Sequence, residues 1–145
     1  MESTDRQILS LLSQDGRMSY TDIGRETGLS TSAAQQRVRR LEQRGLITGY
    51  RAEISAEALG LALTAFIELT GSDPASDDQI PDRLSHLANV VSCFSVAGAA
   101  SYMLIVQVAT PADLEALLAQ IRVAAGVTTL TTLVLSVPFK DRPVL

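Results

Sequence analysis

The segment Ser30-Thr31-Ser32-Ala33-Ala34-Gln35-Gln36-Arg37-Val38-Arg39-Arg40-Leu41-Glu42-Gln43-Arg44 concentrates side chains suited to one kind of chemistry. Hydroxyls and carboxamides offer the donors and acceptors that match base edges in a major groove, and guanidinium groups grip phosphates. Wound as a helix at about 100° per residue, it puts Ala34, Val38 and Leu41 on one face and Ser32, Gln36, Arg39, Arg40 and Gln43 on the other. The competing reading is an ordinary solvated face, but such a face would mix in Glu and Lys, and here Glu42 is the sole acid among four arginines. The pattern predicts DNA contact, with Ser30, Thr31, Ser32, Gln35 and Gln36 near the helix start and Arg37, Arg39, Arg40 and Arg44 at phosphates. Arg44 has a second reading, as partner of the helix C-terminal dipole.

No comparable chemistry gathers elsewhere. The one cysteine, Cys93, lies in Val-Val-Ser-Cys-Phe-Ser-Val and is expected to be a small buried strand residue, since a nucleophile needs an activating base and a cleft. The one histidine, His86, is expected on a helix at the surface or in an interface. One His and one Cys cannot make a zinc site. Asp77, Asp78 and Asp82 collect at a helix start, where the dipole accounts for them. The expectation is a protein that is not an enzyme and carries no metal or cofactor.

The arginine-rich helix needs a scaffold. Thr4 with Gln7 reads as a capping box ahead of Ile8, Leu9, Leu11 and Leu12, with Asp15-Gly16 as the stop. Ser19 can cap a short second helix ended by Gly28, and Ser30 caps the third, ended by Gly45. Two helices joined by Gly28-Leu29-Ser30 form a helix-turn-helix. Charge divides with this head: residues 1–51 carry eight arginines against six acids, while residues 52–145 carry four bases against ten acids. The overall charge of −4 therefore describes neither part, and the local excess on the third helix is what acts over a screening length of about 8–10 Å.

Residues 47–54 alternate enough to be a strand, which needs a partner and is expected to pair with its counterpart in a second copy. Tyr50 could also pack the two heads together. Beyond residue 63 the pattern reads strand (65–70), loop (71–80), helix (80–89), strand (90–97), turn (98–101), strand (102–109), helix (111–124) and strand (128–139). This is βαββαβ, the ferredoxin-like split unit. Strand 102–109 is apolar on both alternating faces, so the sheet face away from the helices is expected to be buried against another copy. The predicted fold is α+β: a three-helix helix-turn-helix, winged-helix-like domain (1–50), a linker strand (51–62) and a ferredoxin-like domain for ligand sensing and oligomerisation (63–145). No apolar run reaches the roughly 20 residues of a membrane helix. A single cysteine and an N-terminus without a signal peptide point to the cytoplasm.

The strings Asp5-Arg6-Gln7-Ile8-Leu9, Asp15-Gly16-Arg17, Gly28-Leu29-Ser30, Arg37-Val38-Arg39-Arg40-Leu41-Glu42, Gly45-Leu46-Ile47-Thr48-Gly49-Tyr50, Leu59-Gly60-Leu61, Val96-Ala97-Gly98 and Ser101-Tyr102 resemble regulators of the leucine-responsive/asparagine-responsive (Lrp/AsnC, feast/famine) family. The resemblance runs from about residue 4 to residue 138 and is most specific over residues 28–50. It implies a dimeric, sequence-specific DNA-binding transcription regulator on a pseudo-palindromic operator, assembling further into octamers or other assemblies. It also implies a small effector, usually an amino acid, bound between dimers near the loop joining the second and third strands. The family pattern there is Gly-x-x-Asp-Tyr. This chain reads Gly98-Ala99-Ala100-Ser101-Tyr102, which makes these five the candidate effector residues and puts Ser101 in place of the acid. Gly98 would let backbone N–H groups approach a carboxylate, with Ala99 and Ala100 leaving room. The alternative is a small-molecule-binding or protein-interaction module that does not bind DNA.

Overall fold

Helix α1 (Ser3–Gln14), α2 (Tyr20–Thr27) and α3 (Thr31–Gln43) close on a core of Ile8, Ile23, Ala34, Val38 and Leu41 in a computed structural model that describes all 145 residues. The caps of α2 and α3 are as the sequence predicts. Ser19 Oγ accepts from the Asp22 N–H at 3.0 Å and Ser30 Oγ from the Ala33 N–H at 3.2 Å, so each serine satisfies one of the open N–H groups of a helix start. Gly28 and Gly45 follow their helices with φ of 75°, the left-handed conformation in which a Cβ would clash and which glycine adopts freely. The Thr4–Gln7 capping box does not form. α1 begins two residues earlier, Glu2 stands at its N-cap without a side-chain bond, and the Gln7 amide instead donates to the Glu26 carbonyl at 2.9 Å.

The second compact unit, residues 54–138, carries a four-stranded antiparallel sheet in the order β2-β3-β1-β4. Its strands are β1 (Leu63–Gly71), β2 (Val90–Ser95), β3 (Tyr102–Val108) and β4 (Val127–Leu133). Two helices, α4 (Ile80–Leu84) and α5 (Pro111–Ala125), accompany it. Ala65, Ile67, Leu69, Leu104, Val106 and Val108 alternate inward and form one core with Ile80, Leu84, Leu114, Leu117 and Ile121 from these helices. The order βαββαβ is the predicted one; several limits differ. The stretch 71–80 is not an open loop but holds a 3₁₀ helix, Pro74–Gln79, because Asp73 Oδ1 accepts the Ala75 N–H and Pro74 presets the first turn. α4 ends five residues before the predicted limit. The Ser85 N–H and Oγ both donate to the Asp82 carbonyl, which tightens the last turn. β4 stops at Leu133 instead of Phe139, since its partner β1 begins at Leu63 and the last ladder bond is Val134 N–H to Thr64 O.

The first compact unit comprises residues 1–53 and takes back the chain's end, Phe139–Leu145. Pro143, Val144 and Leu145 lie over Leu9, Leu12 and Ile47 around a groove of about 380 Å³, and the Arg142 guanidinium stacks on Phe139 at 4.2 Å. These seven residues thus group by contact with the head. Residues 47–54 form no ladder within the single chain, and residues 56–60 form a turn ending in Gly60.

Candidate functional site

On the outer face of α3, Ser32, Gln36, Arg39, Arg40 and Gln43 are exposed, while Ala34, Val38 and Leu41 point into the core. The head's ion pairs join Arg25 to Asp22 and Arg37 to Glu2 and Asp5, which leaves Arg39, Arg40 and Arg44 with no carboxylate partner. Three unpaired guanidinium groups on one exposed helix surface form a local cationic strip on an acidic chain. The predicted contact residues separate on inspection. Ser30 is committed as the N-cap, the Thr31 hydroxyl lies 3.3 Å from that of Thr21 on α2, and Ser32 Oγ lies 3.4 Å from Ser30 Oγ. Gln36 is free, and Gln35 is half-buried. Arg44 is exposed at the C-cap of α3.

Arg37 does not join the strip. Its Nη1 donates to Asp5 Oδ1 at 2.8 Å and to Glu2 Oε2 at 2.9 Å, so α3 is tied to the start of α1. The bond to buried Asp5 is the first cause, and that to Glu2 the second, by which the Arg37 pKa is raised above its ordinary value. Neither partner was legible, because each lies more than thirty residues away in sequence. Tyr50, placed by sequence reasoning between heads, is half-exposed, and its hydroxyl donates to Glu42 Oε1 at 3.3 Å. Partial burial first, then the nearby Glu42 charge, push its phenol pKa up.

The turn between β2 and β3 is closed by the Val96 N–H on Ser101 O at 3.2 Å and anchored by the Ser101 N–H on Leu69 O at 2.8 Å. Its backbone N–H groups at Gly98, Ala99 and Ala100 make no bond within the chain. A cavity of about 130 Å³ opens between Ala99, Ala100, Glu68, Thr70, Thr128 and Leu130. The five candidate residues therefore divide. Ala99 and Ala100 line the cavity; Gly98, Ser101 and Tyr102 do not. Tyr102 packs on the domain core. Gly98 is outside the left-handed region and has open space where a Cβ would stand, so no turn geometry demands a glycine there. Ser101 Oγ donates to Asp77 Oδ2 at 2.8 Å. Asp77 Oδ1 is buried with no donor, in space that a Cβ on Gly71 would fill. A carboxylate therefore does approach the position where the resemblance expects one, but it arrives from the 3₁₀ helix. Sequence reading placed Asp77 only in a helix-start patch.

Cys93 differs from expectation. On edge strand β2 it is exposed, because only one neighbour, β3, covers the strand. Desolvation by its partly apolar surroundings pushes the thiol pKa above the ordinary 9.0, the reverse of what activation requires. Alkylation of Cys93 by iodoacetamide is expected to be slow at pH 7 and still rising steeply above pH 9; a rate that levels off near pH 7 would contradict this. His86 is exposed in the turn after α4, rather than on it. No group of three or more His, Cys, Asp or Glu is placed to hold a metal, and no helix is long and apolar enough to cross a membrane.

Comparison with known proteins meets this geometry at both ends. Residues 1–42 match the AsnC-type helix-turn-helix domain and residues 64–145 the Lrp/AsnC ligand binding domain. The HTH-type transcriptional regulator LrpA of Mycobacterium tuberculosis is 45% identical over 142 residues, covering 98% of this chain and 95% of LrpA. A solved feast or famine regulatory protein from M. tuberculosis, complexed with L-methionine, superposes with a TM-score of 0.93 at 45% identity, over 98% of this chain and 97% of that one. AsnC of E. coli superposes with a TM-score of 0.91 at 25% identity, over 99% and 97% of the two chains. The α+β architecture of a helix-turn-helix head and a ferredoxin-like domain is theirs as well. The chain belongs to the Lrp/AsnC family of HTH-type transcriptional regulators.

Proposed function

We propose that this regulator reads DNA with the outer face of α3, acts in the cytoplasm as a homo-oligomer, and has its assembly and DNA binding modulated by an amino acid. The observation that carries the reading is the strip Arg39, Arg40 and Arg44, unpaired and exposed beside Ser32 and Gln36, in a chain of net charge −4. Arg39, Arg40 and Arg44 grip phosphates and Ser32, Gln36 and Thr31 approach base edges, with Gln35 at the margin. Arg37 is withdrawn from the contacts, since Asp5 and Glu2 occupy it, and Ser30 contributes as a cap. Binding to DNA from the chain's own upstream region, followed by fluorescence anisotropy, is expected to weaken by orders of magnitude between 50 and 200 mM salt, as counterion release requires for several phosphate contacts. Binding that ignores salt would mean that the head docks protein instead.

Assembly follows from the sheet. Its outer face bears Phe66, Phe94 and Leu130, exposed by 40%, 51% and 64%, and half-buried Met103 and Ile105. An exposed, largely apolar face of this kind is covered by a second copy, and residues 47–54 supply a second pairing element. Light scattering at micromolar concentration is expected to show at least a dimer and most simply an octamer. Replacing Phe94 and Leu130 together by aspartate should reduce the mass to smaller species, and an unchanged mass would remove this face from the interface.

The effector reading is supported by the likeness to the L-methionine complex and by the free N–H groups of the 98–100 turn beside the cavity, which suit a ligand carboxylate. Occupation of a site shared between dimers would favour one assembly, and that assembly fixes the spacing of the heads on DNA.

A further inference from the structure

We infer that Glu68 is the residue that reads the ammonium group of the effector; this deepens the effector reading above and rests on it. Sequence position 101 cannot do so, because the Ser101 hydroxyl is turned to Asp77 and does not line the cavity. Among the cavity's lining residues Glu68 is the one that carries a charge. It stands on the outer face of β1, opposite Met103 on β3 and Leu130 on β4, two residues from Phe66. A carboxylate set among apolar side chains on a face that a second copy covers is costly unless a cation meets it. The chain does not provide one. Glu68 forms no ion pair; of this domain's two arginines, Arg83 is held by Gln79, and Arg122 donates to the hydroxyl of Thr129, itself a lining residue, without pairing with Glu68.

The lining combines groups that suit a zwitterion: Ala99 and Ala100, whose backbone N–H groups bond nothing within the chain and favour a carboxylate, and Glu68, which favours an ammonium, together with Thr70, Thr128 and Thr129. Its volume of about 130 Å³ corresponds to about four waters at about 30 Å³ each. That is room for the common end of an amino acid, with the side chain extending toward whatever covers the open mouth. Such a site recognises the class of α-amino acids through the zwitterion and leaves side-chain selection to its rim.

The test uses the full-length protein, with isothermal titration and thermal shift. L-Methionine and the other nineteen amino acids are screened first, and the one with the largest shift is then compared with the 2-hydroxy acid of the same side chain. Wild-type protein is expected to bind the amino acid about ten- to a hundred-fold more tightly than the hydroxy acid, the size of one charge-assisted hydrogen bond. Glu68→Gln, which keeps shape and volume, should lose that factor for the amino acid and abolish the discrimination, while Glu68→Asp should retain part of it. Circular dichroism and light scattering on each variant establish that it folds and what size it reaches. A Glu68→Gln variant that binds the amino acid as tightly as wild type, whether or not its oligomer changes, overturns the inference and leaves the effector reading standing. A wild-type screen flat for all twenty overturns both.

Discussion

Changing Arg39 and Arg40 together to alanine is expected to weaken DNA binding by about 10- to 100-fold at low salt and to flatten its salt dependence. Both side chains are exposed on α3 and neither has an intrachain carboxylate, so their removal costs the fold nothing that the ion-pair pattern reveals. Each phosphate neutralised contributes about −0.9 to the slope of log affinity against log salt, so losing two contacts should reduce its magnitude by about 1.8. The slope is the sharper readout. A general loss of structure lowers the active fraction without altering the slope of what remains, whereas loss of phosphate contacts alters it directly. Arg37→Ala provides the contrast. It deprives buried Asp5 of its partner and should lower the melting temperature of the head while leaving the salt slope of the folded protein near wild type. If the Arg39/Arg40 variant binds the upstream DNA with unchanged affinity and slope, the assignment of these arginines to phosphates fails.

That contrast shows where sequence reasoning reached and where it stopped. Periodicity located α3, its buried stripe Ala34, Val38 and Leu41, and its exposed strip, because burial along a helix follows 100° geometry that is local in sequence. The Ser19 and Ser30 caps were legible for the same reason, each acting three residues ahead. Charge was read less well. Arg37, Arg39 and Arg40 of α3 looked alike, and Arg37 differs because Glu2 and Asp5 fold back against it from the chain's start. The capping box failed through a similar competition: Gln7 found a carbonyl at Glu26, nineteen residues away.

In the second domain the element order was legible and the site was not. Alternation and the proline and glycine positions gave βαββαβ, since each strand's burial pattern is written in its own residues. Which polar groups meet at the 98–101 turn depends instead on the register of β1 with β3 and β4 and on the placement of the 3₁₀ helix. Ser101 meets Asp77 across 24 residues, and Glu68 reaches the cavity from a strand to which sequence reading gave no part in a site. Edge position likewise reversed the expectation for Cys93. A strand of the same composition is buried in the centre of a sheet and half-open at its rim.

Gly24→Ala is expected to destabilise the head and to impair DNA binding, against the usual direction for a glycine inside a helix. At an unhindered helical site alanine would gain about 1 kcal/mol from propensity and from a less flexible unfolded chain. Gly24 lies in α2 with ordinary helical geometry, so the outcome depends on space alone. A Cβ there would stand 2.5 Å from the Leu29 carbonyl oxygen and 3.4 Å from the carbonyl carbons of Leu29 and Ser30. These are backbone atoms of the turn itself and cannot rotate aside. The same turn is drawn in by the Leu29 N–H, which donates to the Gly24 carbonyl at 2.9 Å, so relieving the clash lengthens that bond and moves Ser30, the cap of α3, with it. Overpacking of this kind costs about 1–3 kcal/mol or more and outweighs the propensity gain. A unit this small buries only about 60% of its unfolded surface and has little stability in reserve. At about 4–8 °C per kcal/mol the head's melting temperature should fall by roughly 5–15 °C, and the angle at which α3 is presented should change with it. Gly49→Ala is the matched control, with nothing within 4 Å of the added Cβ and a backbone outside the left-handed region; its melting temperature should stay near wild type. A Gly24→Ala protein that melts at or above the wild-type temperature and binds DNA normally would show that α2 and the turn do not approach this closely in solution.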